Sequence, residues 1–157
     1  MNVRVTCILL AAALGLAACG GDDDSGGLSK TDLATKADAI CKEATTAARQ
    51  LKVPPDFAQP NSNSVALAEY LSKLVPITSK QAADLAALKP ADDVKQQWDA
   101  FTAKEQELSD YLKKVLTKAQ ANDPSALTDL QQDVPRLGQE FTTMAGQLGA
   151  RGCASGA

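Results

Sequence analysis

Four stretches of the chain repeat apolar residues at intervals of three and four, and this period leaves few choices for the fold. Such spacing places the apolar side chains on one face of a helix. The stretches end at residues 53–55 (VPP), at Pro90, at residues 122–124 (NDP) and at Gly149, and proline and glycine are common at helix ends. No stretch alternates with a period of two, so the sequence predicts an all-α protein.

The short connections between these four amphipathic stretches favour an antiparallel up-down four-helix bundle. Ser29 is the predicted N-cap of the first helix, and Asp32 follows three residues later, as in a capping box. The apolar face of this first helix is rich in alanine. It therefore contributes less hydrophobic area than the other three helices.

Two prolines lie inside the helical pattern, Pro76 in the second helix and Pro135 in the fourth. An interior proline removes one backbone hydrogen bond and usually kinks the helix. We therefore expect proline kinks in these two helices. The kinks either bend the helices around the core, which is the interpretation we favour, or widen the bundle into a pocket.

The amino-terminal residues have the layout of a secretory signal. One charged residue, Arg4, precedes an apolar and small-residue run over positions 5–18, which is shorter than a membrane-spanning helix. The run leads into LAAC at residues 16–19, which resembles the lipobox of bacterial lipoproteins. That resemblance implies cleavage before Cys19 and attachment of lipid to it, which would anchor the exported protein at the extracytoplasmic face of the cell membrane. An ordinary cleaved signal with a spare cysteine is the alternative.

The predicted organisation is a lipoprotein signal peptide (1–18), the lipidated cysteine with a disordered tether (19–28), a four-helix bundle domain (29–153) and a disordered tail (154–157). Without its signal the chain carries 15 basic and 19 acidic side chains, a net charge of −4. Because the basic residues form no patch, we expect no nucleic-acid binding. We expect a monomer that contacts the membrane through the lipid at Cys19.

The four cysteines divide between these parts of the chain. Cys7 would leave with the signal, and Cys19 would carry the lipid. Cys41 and Cys153 then remain as a pair in an exported, oxidising setting, which predicts one disulfide. Two free thiols are the alternative, but the chain has no histidine that would complete a metal site with them.

The two remaining cysteines also carry a family resemblance. The chain is similar to small exported lipoproteins of actinobacterial type, whose helical domain begins with a segment like residues 37–44 (ADAICKEA) and ends with a second cysteine after a short glycine-bearing stretch, here residues 148–153 (LGARGC). The similarity covers roughly residues 30–153. It implies a helical domain closed by a disulfide, and it carries no assigned activity.

Motifs that would support an enzymatic reaction are missing from the sequence. The chain contains no histidine, which excludes the catalytic and metal sites that depend on that side chain. It also has no glycine-rich phosphate loop and no dinucleotide fingerprint. The paired acids Asp92 and Asp93 stand in the first turn of the third helix, where they complement the helix dipole. We predict a non-enzymatic protein with no cofactor and no metal.

Glu105 interrupts the apolar face of the third helix and leaves two interpretations open. An apolar face drifts by about 20° per heptad, which would leave Glu105 at its boundary and in contact with water; we favour this interpretation. A buried carboxylate would instead need a cationic partner such as Arg136, or its pKa would rise. A buried and unpaired Glu105 beside Trp98 would indicate a ligand cavity.

Two binding functions fit this pattern. The leading hypothesis is an interaction module for an unknown protein partner, which the long proline-rich first loop would contact through Phe57. The alternative is a carrier of a small apolar ligand, held between the helices in a cavity lined by Trp98, Phe101 and Phe141. Together with Glu105, these four aromatic residues are the candidate ligand or partner contacts.

Replacing the lipidated residue tests the predicted anchor. Cys19→Ser should abolish membrane fractionation, because the hydroxyl cannot form the thioether that carries the lipid. Fractionation of membranes from cells that express each chain measures this, and Cys7→Ser is the matched control that should remain attached. Retention of the Cys19→Ser protein in the membrane fraction would refute the anchor.

Overall fold

The computed structural model describes residues 26–54 and 64–155, and in these ranges the regular secondary structure is helical, without a strand. Four long helices follow one another: α1 (Lys30–Arg49), α2 (Ser64–Ala86), α3 (Asp92–Gln120) and α4 (Ser125–Leu148). A single-turn helix, α5 (Arg151–Ala154), ends the described chain. The all-α class and the four long helices are as predicted, whereas α5 was not expected.

α3 is the central element of the packing. It packs against α2 on one side and against α4 on the other, while α1 packs on α2 and on α5. α5 also contacts α4, so it connects the first helix to the last long one. Because α3 is flanked by two long helices, a wide face of it is covered.

Capping residues set the start of α1 and the end of α4. The Ser29 hydroxyl accepts a hydrogen bond from the backbone N–H of Asp32 at 3.2 Å, and it donates to the Asp32 carboxylate at 2.7 Å. The predicted N-cap of α1 is thereby confirmed. α4 ends at Gly149, which has a φ of 83° and so adopts the left-handed conformation that favours glycine. The turn at Gly149 directs the chain into α5.

Gly27 and Leu28, at the end of the predicted tether, contact the connection between α2 and α3. Leu28 donates its N–H to the Lys89 carbonyl at 2.8 Å and accepts from the Ala91 N–H at 2.9 Å. Gly27 lies so close to Pro90 that a methyl group on it would overlap the proline carbonyl oxygen. The end of the predicted tether is therefore held against the connection between α2 and α3.

Both interior prolines lie within continuous helices. Pro76 is inside α2 and Pro135 is inside α4, and both side chains are exposed to solvent. At an exposed position the carbonyl that loses its helical N–H partner is able to bond to water, which lowers the cost of the proline. The kinks themselves stay a prediction.

Within the described ranges, no helix combines the length and the apolar character that a membrane crossing requires.

The contact at the start of α1 generates a stability prediction with a matched control. Gly27→Ala should lower the free energy of unfolding by roughly 1–3 kcal/mol, because the added methyl group displaces the two backbone hydrogen bonds of Leu28. Gly26→Ala should change the free energy by less than about 0.5 kcal/mol, since space is open at that position. Urea denaturation of the exported domain measures both. Equal stability of the two variants would contradict the contact.

Candidate functional site

A disulfide joins the first helix of the described domain to the last one. Cys41 of α1 and Cys153 of α5 form it, with their Cα atoms 5.0 Å apart, as the count of cysteines predicts. A second contact supports the same junction, because the Gly152 N–H donates to the Asp38 carboxylate at 2.7 Å. The chain end is thereby fastened to the middle of α1.

An aromatic group packs beside this junction. The Trp98 and Phe101 ring centroids are 5.2 Å apart, and Phe101 stacks on Phe141 with centroids 4.9 Å apart. All three rings are buried. They belong to an apolar cluster at the disulfide end of the helices, the disulfide cluster, which also includes Leu33, Val94 and Leu148.

A second apolar cluster fills the opposite end of α2, α3 and α4. This distal cluster contains residues such as Leu67, Leu71, Leu112 and Val115. Between the two clusters α3 carries two buried polar side chains, Glu105 and Ser109. Ser109 shares a hydrogen bond of 3.1 Å with Ser79 of α2, so its hydroxyl is satisfied. The core therefore has a polar layer near its middle.

A cavity of about 170 Å³ opens at this layer, beside the disulfide. Every helix supplies part of its wall, and the disulfide itself forms another part. The apolar part of the lining comes from Ala44, Ala48, Leu74, Ile77, Leu108 and Phe141. Small side chains of α1 face larger ones of α2 and α4, and the gap between them is the cavity.

The predicted cavity lining is corrected by this geometry. Of the three aromatic residues expected around a cavity, Phe141 lines it, whereas Trp98 and Phe101 are packed in the disulfide cluster. Both rings are almost completely buried, with exposures of 1% and 0%. Phe101 stacks on Phe141 and Trp98 packs against Phe101 at a tilted angle, so the two rings support the wall without forming it.

Glu105 is the unusual group of the site. Its side chain lines the cavity, is 2% exposed, and its Oε2 atom has no hydrogen-bond partner. Burial raises the pKa of this carboxyl from 4.5 to about 8. At neutral pH the group is therefore mostly protonated.

The favoured interpretation, in which Glu105 lies at the boundary of the apolar face of α3 and contacts water, is wrong. The drift of the apolar face does not bring it to solvent, because α2 and α4 cover α3 on both sides. The expected partner Arg136 is also engaged elsewhere, with Glu140 at 2.9 Å and Asp133 at 3.5 Å. The second interpretation, a buried and unpaired carboxyl, describes the structure.

Three residues that sequence reasoning missed complete the polar part of the lining. Thr45, Thr78 and Gln81 line the cavity together with Glu105. Thr78 had a visible signal, since it interrupts the apolar spacing of α2 as Glu105 interrupts that of α3. Gly138 of α4 also lines the cavity, and space is open where its side chain would begin.

Two predicted site residues, Cys19 and Phe57, lie outside the described residues. In the part of the chain that the structure describes, no group of three or more acidic, cysteine or histidine side chains is arranged to hold a metal ion.

Comparisons of the chain with models of protein families, with curated proteins and with solved structures find no match in any of the three.

The raised pKa of Glu105 generates a pH-dependent stability difference. The folded protein keeps the Glu105 proton up to about pH 8, whereas the unfolded chain releases it near pH 4.5. The unfolded state thus binds fewer protons between these values, so this group lowers the free energy of unfolding as the pH rises. The free energy of unfolding of Glu105→Gln, relative to that of wild type, should therefore rise by roughly 3 kcal/mol from pH 5 to pH 8.

Urea denaturation at both pH values measures this difference. The exposed Glu107 on the same helix supplies the control, and Glu107→Gln should follow wild type. If the free energies of unfolding of Glu105→Gln and wild type change in parallel with pH, the folded protein does not disfavour the charged form of Glu105.

Proposed function

We propose that this chain is an exported, lipid-anchored protein that binds a small apolar ligand in the cavity between its helices. The observation that carries the proposal is the cavity with a buried carboxyl oxygen that has no partner in the protein. An unpaired buried polar atom costs stability, so sites that keep one are candidates for ligand binding. The size also fits, because an apolar cavity of about 150 Å³ accommodates benzene.

The proposed bundle topology is antiparallel and up-down, and side-chain contacts support it. Ser64 at the start of α2 donates to Asn122 just after α3, at 2.9 Å. Lys104 near the middle of α3 pairs with Glu140 of α4 at 2.8 Å. Lys118 at the end of α3 pairs with Asp129 near the start of α4. Within this topology, proline kinks at the exposed positions in α2 and α4 would curve these helices around the cavity.

Attachment through lipid at Cys19 places the domain at the extracytoplasmic face of the membrane. The lipobox-like sequence supports this location. The disulfide supports it as well, since disulfides form and persist mainly in oxidising compartments. The resemblance to small exported lipoproteins belongs to the same proposal.

Binding without catalysis is the form of function that we propose. Glu105 is the single ionisable group among the lining residues, as the two cysteines are joined in the disulfide. General acid–base reactions and nucleophilic reactions usually need a second, correctly placed group. A single carboxyl in an apolar cavity is sufficient to orient a ligand.

A second candidate is the interaction module for a protein partner at the first loop. Phe57, its proposed contact, lies outside the described residues. Two large apolar side chains on either side of that stretch are exposed, Val53 at 61% and Val65 at 63%. Exposed apolar patches are typical of protein contact sites, and these two side chains flank the stretch that contains Phe57.

A substitution that fills the cavity should abolish ligand binding and leave the rest of the fold intact. Toluene should raise the thermal midpoint of the wild-type exported domain, because a ligand that binds the folded state stabilises it. Gly138→Leu should abolish this shift, since the new side chain occupies the open space at the cavity wall. Thermal unfolding followed by circular dichroism measures both.

Gly146→Leu is the matched control, because Gly146 is on the same helix, is exposed, and has open space around it. It should retain the toluene shift. An absent shift in wild type, or an equal shift in Gly138→Leu, would overturn binding in this cavity.

A further inference from the structure

Two hydrogen-bond donors of the cavity lining are already directed to partners within the protein. The Thr78 hydroxyl donates to the Val75 carbonyl at 3.1 Å, so its proton is used and its lone pairs remain available. An N–H of Gln81 is directed to the Cys41 sulfur at 3.6 Å. Glu105 adds a carboxyl whose Oε2 has no partner. This lining is complementary to a ligand that brings donors.

Basic side chains of the surrounding helices do not neutralise Glu105. Lys104, the next residue in the chain, pairs with Glu107 and Glu140. On α2, Lys80 pairs with Glu43 of α1 and with Asp84.

On α4, Arg136 pairs with Asp133 and Glu140. These charged groups of α1, α2, α3 and α4 are absent from the cavity lining, in which Glu105 is the one ionisable residue. The site therefore offers one acid and no resident cation.

The volume limits the size of the ligand. The cavity measures about 170 Å³ and is lined on most sides by apolar groups such as Leu74, Ile77 and Phe141. Because a cavity of about 150 Å³ binds benzene, the part of the ligand that lies inside has about six to eight heavy atoms and an apolar body. One end of that body would lie against the carboxyl.

Building on the proposed function, we propose that the cavity selects a small primary amine, bound as an ammonium ion whose N–H donors pair with the Glu105 carboxylate. An ammonium ion has three donors and no acceptor, which matches a wall with available acceptors. Thr78 is a further acceptor in the same lining. Hydrogen bonds between two charged partners are stronger than neutral ones, so the ammonium form is preferred over an alcohol of the same shape.

Binding of the ammonium ion releases a proton. Burial raises the pKa of Glu105 to about 8, so the free protein at pH 7 holds this carboxyl mainly in its protonated form. The incoming positive charge favours the carboxylate. The O–H bond of Glu105 then breaks, its proton passes to the buffer, and the ammonium–carboxylate pair forms. Close to one proton is released for each amine bound.

Isothermal titration calorimetry of the exported domain tests the proposal with three probes of nearly the same shape: benzylamine, benzyl alcohol and toluene. At pH 7, benzylamine should bind wild type about tenfold or more tightly than benzyl alcohol, as charge-assisted hydrogen bonds allow. Titrations in two buffers with different ionisation enthalpies should report close to one proton released with benzylamine and none with toluene.

Glu105→Gln keeps the shape of the side chain and removes its charge. This variant should lose about tenfold or more in benzylamine affinity and release no proton. Circular dichroism checks that it is folded. If the variant does not fold, the proton release by wild type alone decides between the outcomes.

Three results would overturn the proposal and are distinguishable. Similar affinity for all three probes without proton release would reject the amine and leave the apolar ligand site standing. Failure of all three probes to bind would reject the amine and the ligand site together. Benzylamine binding that Gly138→Leu does not weaken would place the amine outside this cavity and also reject the proposal.

Discussion

The disulfide between Cys41 and Cys153 fastens α1, a long helix whose buried face is made mainly of small side chains. The buried face of α1 consists of Leu33, two alanines and the half-cystine at Cys41, so it removes little apolar area from water. The disulfide compensates for this by tying α1 to α5, and α5 contacts α4. The small side chains of Ala44 and Ala48 on the same helix line the cavity. One feature of α1 thus accounts for both the need for the bond and the presence of the site.

The polar layer in the core contains two groups with different roles. One belongs to the packing, and the other is available to a ligand. Ser109 is completely buried, but it shares its hydrogen bond with Ser79 and belongs to the packing. Glu105, one turn away on the same face, has an oxygen without a partner and a raised pKa. Burial of this kind lowers stability. Proteins commonly retain a destabilising group of this kind at a functional site, where a bound ligand can supply the missing hydrogen bond.

Local patterns predicted much of the fold because they depend on residues close together in the chain. The 3–4 spacing predicted four helices, and Ser29 with Asp32 predicted the start of α1. The pair of cysteines followed from a count. Leu28 could not be assigned in the same way, since its hydrogen bonds are with the connection between α2 and α3, about sixty residues away. α5 has a single turn, which is too short for a periodic signal.

Glu105 illustrates the difference between what the sequence determines and what the tertiary structure determines. The sequence by itself determined that a carboxyl stands on the apolar face of α3, that histidine is absent, and that Thr78 interrupts the facing pattern of α2. Only the tertiary structure decided that this carboxyl is buried, that Arg136 turns to other partners, and that a cavity lies beside it. The physical reason is that periodicity assigns a residue to a face of its helix, whereas burial depends on how many neighbouring helices cover that face.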